Sequence, residues 1–152
     1  MLRYFYDNNL VRFEKEIPED WEQAIRFSGR VMKEQNLVTD QYINQVINDV
    51  KEYGPYIVIV PGVAMPHSSA KNDGVIGTGI GFTIMPNTVS FEEGNEEKDA
   101  KLFFMLAAKD SEAHMQNIAN LSDMLMEDGM VDDLMKVENM EDYVAVMKKH
   151  GM

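Results

Sequence analysis

Between Gly54-Pro55 and Pro61-Gly62 lies the run Tyr56-Ile57-Val58-Ile59-Val60, the segment that most restricts what this chain can fold into. It is β-branched, too short for a helix and apolar on both faces, which predicts a central strand covered on both sides. A strand of that kind requires a sheet with helices packed against each face. Leu102 to Ala108, unbroken by polar side chains, predicts a second buried strand, and Gly77 to Met85 a third. Near the start, Val11 and Phe13 alternate with Arg12 and Glu14, the period-two pattern of a half-buried edge strand.

The helical segments carry their own punctuation. Pro18 sits where a first helical position belongs, and Glu19, Asp20 and Glu22 suit the positive end of a helix dipole. Trp21, Ala24, Ile25, Ser28 and Met32 then share one face. Thr39 is placed to cap a second helix with the inner stripe Ile43, Val46, Ile47 and Val50, stopped by Gly54-Pro55. Ser111 is placed to cap a third, running through Met115, Ile118, Leu121 and Leu125 to Gly129. A last helix around Met140 to Lys149 uses Tyr143, Val144 and Met147, and ends on Lys148-Lys149-His150-Gly151, cations followed by a C′ glycine. Helices, strands and helices in that order predict an α/β fold, a mixed β-sheet sandwiched between helices. At 152 residues the default is one domain over 1–152, burying roughly 70% of its unfolded surface around one core.

Composition removes several classes of function. Against 14 Lys and Arg stand 26 Asp and Glu, a formal net charge of -12, so the surface repels phosphate backbones and anionic lipid. No nucleic-acid partner is expected. The absence of cysteine removes thiolate metal sites, disulfides and cysteine nucleophiles, and fits a reducing cytoplasm. Met1-Leu2-Arg3-Tyr4-Phe5-Tyr6-Asp7 lacks the apolar stretch of a secretory signal. Gly74 to Phe91 is uncharged, but its glycines, Pro86 and polar side chains rule out a span of about 20 apolar residues, so no membrane insertion is expected.

Three histidines remain for chemistry. His150 ends the last helix, where a cation serves the dipole, and reads as structural. His67 follows the buried run in Pro61-Gly62-Val63-Ala64-Met65-Pro66-His67-Ser68, on backbone stiffened by proline. Such a histidine is either a catalytic group carried on a rigid connection or a turn residue satisfied by a carbonyl. His114 falls in the first turn of its helix, where amide donors and the dipole favour a neutral ring and an anion beside it, or it is a half-exposed helix residue. Both histidines follow predicted strands. If those strands are parallel neighbours, the rings meet at one edge of the sheet.

Other features read as packing. Gly77-Thr78-Gly79-Ile80-Gly81 has the wrong spacing for a dinucleotide fingerprint and continues as a strand; its glycines share a bare face that lets a neighbour approach closely. The methionines of the last third (Met115, Met124, Met126, Met130, Met135, Met140, Met147) suit a helical core, and Glu92 to Asp99 a solvated loop.

The segment Gly54 to His67, with its Pro-Gly-x-Ala-x-Pro-His ending, resembles the active-site segment of enzyme IIA domains of the sugar phosphotransferase system, in the ascorbate-type branch of the mannitol/fructose class. Trp21 to Arg26 and the stretch from Leu102 through Asp110-Ser111-Glu112-Ala113-His114 are similar to the same branch. Ser68 stands where that family commonly has Gly or Ala, and no arginine or glutamine of the mannitol-type site is matched. The resemblance implies that His67 accepts a phosphoryl group from HPr and passes it to an enzyme IIB serving a membrane IIC, for uptake of ascorbate or a related carbohydrate selected by the membrane component. It implies that His114 stabilises the phosphoryl group, and that no metal or other cofactor is needed.

The physics of the step agrees: a neutral, aligned nucleophile and fixed donors to the equatorial oxygens suffice, and an imidazole of pKa about 6.5 is mostly neutral near pH 7. The alternatives are a regulatory module signalling through the same phosphohistidine, and a metal hydrolase built from His67, His114 and a carboxylate such as Asp110. The oligomeric state is left open. A chain this acidic steers basic surfaces toward itself, so its association rate with HPr, followed by stopped flow, should fall as salt rises; a salt-independent rate would count against steering.

Overall fold

The computed structural model describes residues 1–68 and 73–152. Its centre is a sheet in the order β1-β4-β5-β3-β2, made of β1 (Val11–Phe13), β2 (Val58–Val60), β3 (Gly62–Ala64), β4 (Gly79–Ser90) and β5 (Asp99–Ala107). β1 runs parallel to β4 and β3 parallel to β5, while β4–β5 and β2–β3 are antiparallel, so the sheet is mixed. The helices are α1 (Leu2–Asp7), α2 (Trp21–Ser28), α3 (Arg30–Glu34), α4 (Asp40–Tyr53), α5 (Ser111–Leu125), α6 (Met130–Met135) and α7 (Met140–Lys149). They cover both faces, and one buried cluster runs from Leu2 to Met147. Among the described residues no helix is long and apolar enough to cross a membrane.

Alternation along β4 separates the two layers. A Cβ on Gly81 would stand 2.8 Å from Val31 Cγ1 and 2.9 Å from Met32 Cγ, and one on Gly79 would stand 2.7 Å from Leu37 Cδ1. The bare glycine face read from the sequence is thus where α3 and the loop after it lie on the sheet. On the opposite face Phe82 stacks on Phe104 at 4.1 Å and meets Phe5 of α1 and Tyr143 of α7. Burial raises the Tyr143 hydroxyl above its ordinary pKa, and that hydroxyl donates to Leu2 O at 2.6 Å, tying the two ends of the chain together.

Several expectations need correction. The run Tyr56 to Val60 is not a central strand. Only Val58–Val60 is extended, and it lies at the edge, with Ile59 46% and Val60 41% exposed. Pro61-Gly62, with Gly62 at φ 93°, closes a hairpin that folds β3 in between β2 and β5, so β3 takes the inner place. The central strand is β5, buried from Leu102 to Ala107.

The first amphipathic helix begins at Trp21, not Pro18, because Asp20 caps it by accepting from Gln23 N at 2.9 Å. It breaks at Gly29, where Ile43 presses so close that a Cβ would meet its Cδ1, and Met32 therefore belongs to α3. Thr39 stands at the N-cap of α4, yet its hydroxyl donates to Gly74 O and caps nothing. Asp110, not Ser111, caps α5. Val146 rather than Val144 completes the buried stripe of α7. Of the methionines, Met115, Met126 and Met140 are exposed and not part of the core. Helices α1 and α6 lie outside the elements predicted.

Filling the glycine face should be costly. Gly81→Val overpacks the contact with Val31 and Met32, and should lower stability by about 2 kcal/mol and the Tm by about 4–8 °C in a thermal melt.

Candidate functional site

The site is assembled at the end of the sheet where β3 and β5 both finish. His67 follows β3 by a short extended stretch, and its backbone is fixed group by group. Met65 N donates to Ile57 O at 2.8 Å and Leu106 N to Pro66 O at 3.0 Å. The Tyr56 hydroxyl donates to His67 O, and Ser68 N donates to the Tyr42 hydroxyl at 3.1 Å. Tyr42 in turn donates to Leu106 O, so one phenol on α4 joins the histidine segment to β5. Burial, followed by the charge of Asp49, pushes the Tyr42 hydroxyl up to about 12, which keeps it a proton donor at any ordinary pH.

The ring of His67 is held as firmly as its backbone. Nδ1 lies 2.6 Å from Met65 O. A carbonyl only accepts, so Nδ1 carries the proton and Nε2 keeps its lone pair. Tyr56 meets the ring edge-on, 5.4 Å between centroids at 88°, and resists its rotation. The carbonyl bond is the one the turn-histidine reading expects, and it orients an Nε2 that stays free, as the catalytic reading would require.

His114 comes from α5, which starts just after β5. Its ring centroid stands 5.3 Å from that of His67, tilted by 46°. The parallel pairing that brings the rings together is β3 with β5, so His67 follows an inner strand although the run Tyr56 to Val60 does not supply it. The pKa of His114 is lowered, chiefly by burial and secondly by the charge of His67. At the start of α5 two amides are already used, Ala113 N donating to the Asp110 carboxylate at 2.8 Å and His114 N to Asp110 O at 3.1 Å. The side chain that α5 brings to His67 is the His114 imidazole.

Asp49, Tyr53, Tyr56, His67, Ser68 and His114 line a shallow depression of about 470 Å³. Ser68 Oγ donates to Asp49 Oδ2, and Gln45 Nε2 donates to Asp49 Oδ1 at 2.8 Å. Burial, followed by Asp49 and Tyr42, raises the Tyr56 hydroxyl above its ordinary value. Tyr42, Asp49, Tyr53 and Tyr56 were not picked out from the sequence. The signal was present for three of them: Tyr42, Asp49 and Tyr53 are at heptad and i,i+4 spacing, one edge of α4 beside its apolar stripe.

His150 lies away from this place, with Nε2 2.8 Å from Asp133 Oδ2, joining the end of α7 to α6. Among the described residues no group of three His, Asp or Glu side chains is arranged to hold a metal ion, and Asp110 is engaged in capping. The hydrolase alternative therefore lacks its ligand set among those residues.

Residues 4–150 match the family model of the phosphoenolpyruvate-dependent sugar phosphotransferase system, EIIA 2. The chain is 30% identical over 131 residues to the mannitol-specific cryptic phosphotransferase enzyme IIA component of Escherichia coli K12, covering 86% of this chain and 87% of that one. It is 29% identical over 111 residues to an ascorbate-specific PTS system EIIA component of Salmonella choleraesuis, covering 72% and 70%. A crystal structure of a PTS IIA from Streptococcus mutans superposes with a TM-score of 0.82 at 25% identity, over 98% of this chain and 93% of that one. Mannitol-type and ascorbate-type relatives stand at nearly equal distance.

The electrostatics of the ring pair are measurable by NMR. His114 should titrate below the ordinary histidine value, and His67→Gln should raise its midpoint only in part, because burial is the larger cause. The folded ring takes up its proton less readily than the unfolded chain's. Its contribution to stability is therefore full above pH ~6.5 and lost as pH falls from there through the folded-state midpoint.

Proposed function

This chain belongs to the phosphoenolpyruvate-dependent sugar phosphotransferase system EIIA 2 family and is a phosphoryl carrier of that relay, and we propose that His67 is the residue that carries the phosphoryl group. The observation that supports this most is the Nδ1 to Met65 O bond, which leaves Nε2 as the free nucleophile on a ring that cannot swing.

The step then follows from the geometry. The Nε2 lone pair of His67 forms the bond to phosphorus as the N–P bond of the donor's phosphohistidine breaks, its electron pair returning to the donor nitrogen. Positive charge develops on the His67 ring, and the Nδ1–H to Met65 O bond strengthens as it does so. His114, kept neutral by burial, donates its N–H to an equatorial oxygen of the transferred group. Tyr56 and Tyr42 act by holding the peptide groups on either side, so that little reorganisation is needed when the donor docks. Onward transfer repeats these bonds in reverse order, with a nucleophile on the acceptor.

The donor in this proposal is HPr and the acceptor a cognate enzyme IIB that serves a membrane IIC, which puts the chain at the cytoplasmic side of the transporter. The carbohydrate is ascorbate or a related compound. The recognition of sugar lies in the membrane component, in keeping with mannitol and ascorbate names at almost the same identity among the relatives.

Incubation with phosphoenolpyruvate, enzyme I and HPr should give one acid-labile phosphohistidine, placed at Nε2 by nitrogen and phosphorus NMR. His67→Ala should take no label. His114→Ala should still be labelled, with transfer slowed roughly a hundredfold, the usual effect of losing one fixed donor. Label surviving in His67→Ala, or phosphorylation at Nδ1, would overturn the assignment.

A further inference from the structure

A relay site that must accept a doubly negative group would be expected to gather cations, and this one holds a carboxylate. Asp49 lines the depression with His67, Ser68 and His114. Both of its oxygens are occupied by neutral donors, Oδ1 by Gln45 Nε2 and Oδ2 by Ser68 Oγ, and Ser68 is the residue next to His67 in the chain. Among the described residues no lysine or arginine pairs with Asp49 or lines the depression. The Ser68 bond also fixes where the charge stands: Ser68 is buried, its amide is held by Tyr42, and its hydroxyl draws the carboxylate toward the His67 side of α4.

Resting on the carrier reading above, we infer that Asp49 is a positioning residue of the opposite sense, a fixed negative charge that destabilises the phosphorylated form of His67 and so makes this chain a stronger phosphoryl donor. The argument is electrostatic. Phosphorylation places two negative charges on the phosphoryl oxygens against one positive charge on the ring that keeps its Nδ1 proton, a net gain of one negative charge on the Nε2 side of His67, in a depression where no cation among the described residues balances the Asp49 carboxylate. The repulsion is present after the N–P bond has formed and absent before, so it acts on the transfer equilibrium itself. The same carboxylate is felt by its neighbours, raising the hydroxyls of both Tyr42 and Tyr56. Because Asp49 is half-exposed, solvent screening leaves an effect of about tenfold on the equilibrium constant. The electron balance of transfer is unchanged: one N–P bond breaks on the donor and one forms on Nε2, with no proton required from Asp49.

The test is the equilibrium constant for phosphoryl exchange between HPr and this protein, read as the phosphorylated fraction of each at fixed totals. Asp49→Asn keeps the shape and an oxygen that accepts from Ser68, and should move the constant about tenfold toward phosphorylated His67. Asp49→Ala should move it by a similar factor, and the difference from wild type should shrink as salt is raised from about 0.01 M to about 1 M, where the screening length falls from ~30 Å to ~3 Å. An unchanged constant in Asp49→Asn overturns the inference. So does a shift seen with Ala and not with Asn, which would assign the effect to lost hydrogen bonds instead of lost charge. Wild type that takes no label from phospho-HPr would instead remove the carrier reading beneath it, a result unlike either of the others.

Discussion

The backbone of residues 65–68 is the constraint on which the site depends. A loop that leaves a sheet edge normally keeps some freedom, because its peptide groups bond to water. Here consecutive groups are bonded to protein: Met65 N to Ile57, Pro66 O to β5, His67 O to Tyr56, Ser68 N to Tyr42. The His67 side chain then closes on the same segment through Met65 O. Phosphoryl transfer between imidazoles involves little covalent machinery, so placing one nitrogen well accounts for much of what the protein must do.

That placement depends in turn on the sheet. β3 is only Gly62–Ala64, and a strand so short would not hold its own direction. It lies between the edge hairpin partner β2 and the buried strand β5, and runs parallel to β5, so both strands deliver their following residues to the same end. His67 arrives from one and His114 from the helix after the other. Packing on the two faces of β4 and β5 keeps this frame rigid, with glycine on one face admitting α3 and stacked aromatic rings filling the other.

Charge is distributed against the simplest expectation. The molecule is strongly acidic, and among the described residues the site is lined by a carboxylate and neutral donors, with no lysine or arginine. In its proposed role, a neutral His114 would offer the phosphoryl group a hydrogen bond without binding it as tightly as a fixed cation would. A carrier has to release what it accepts, and weak holding suits release.

The sequence by itself determined the local matters. Pro66 and the apolar strand before it marked His67, the turn chemistry after Ala108 marked a helix carrying His114, and the alternating glycines marked a face that something must approach. These are legible because capping, proline geometry and period-two alternation act over a few residues. Only the tertiary structure decided which strand is central, since β-branched apolar residues suit a strand at the edge or the middle of a sheet, and Pro61-Gly62 turned the most hydrophobic run outward to the edge. It also decided that Tyr42 and Asp49, ordinary residues beside the inner stripe of α4, face the segment after β3. Hydrogen bonds joining residues as far apart as Tyr42 and Leu106 depend on how the layers stack, and that is set by the core as a whole.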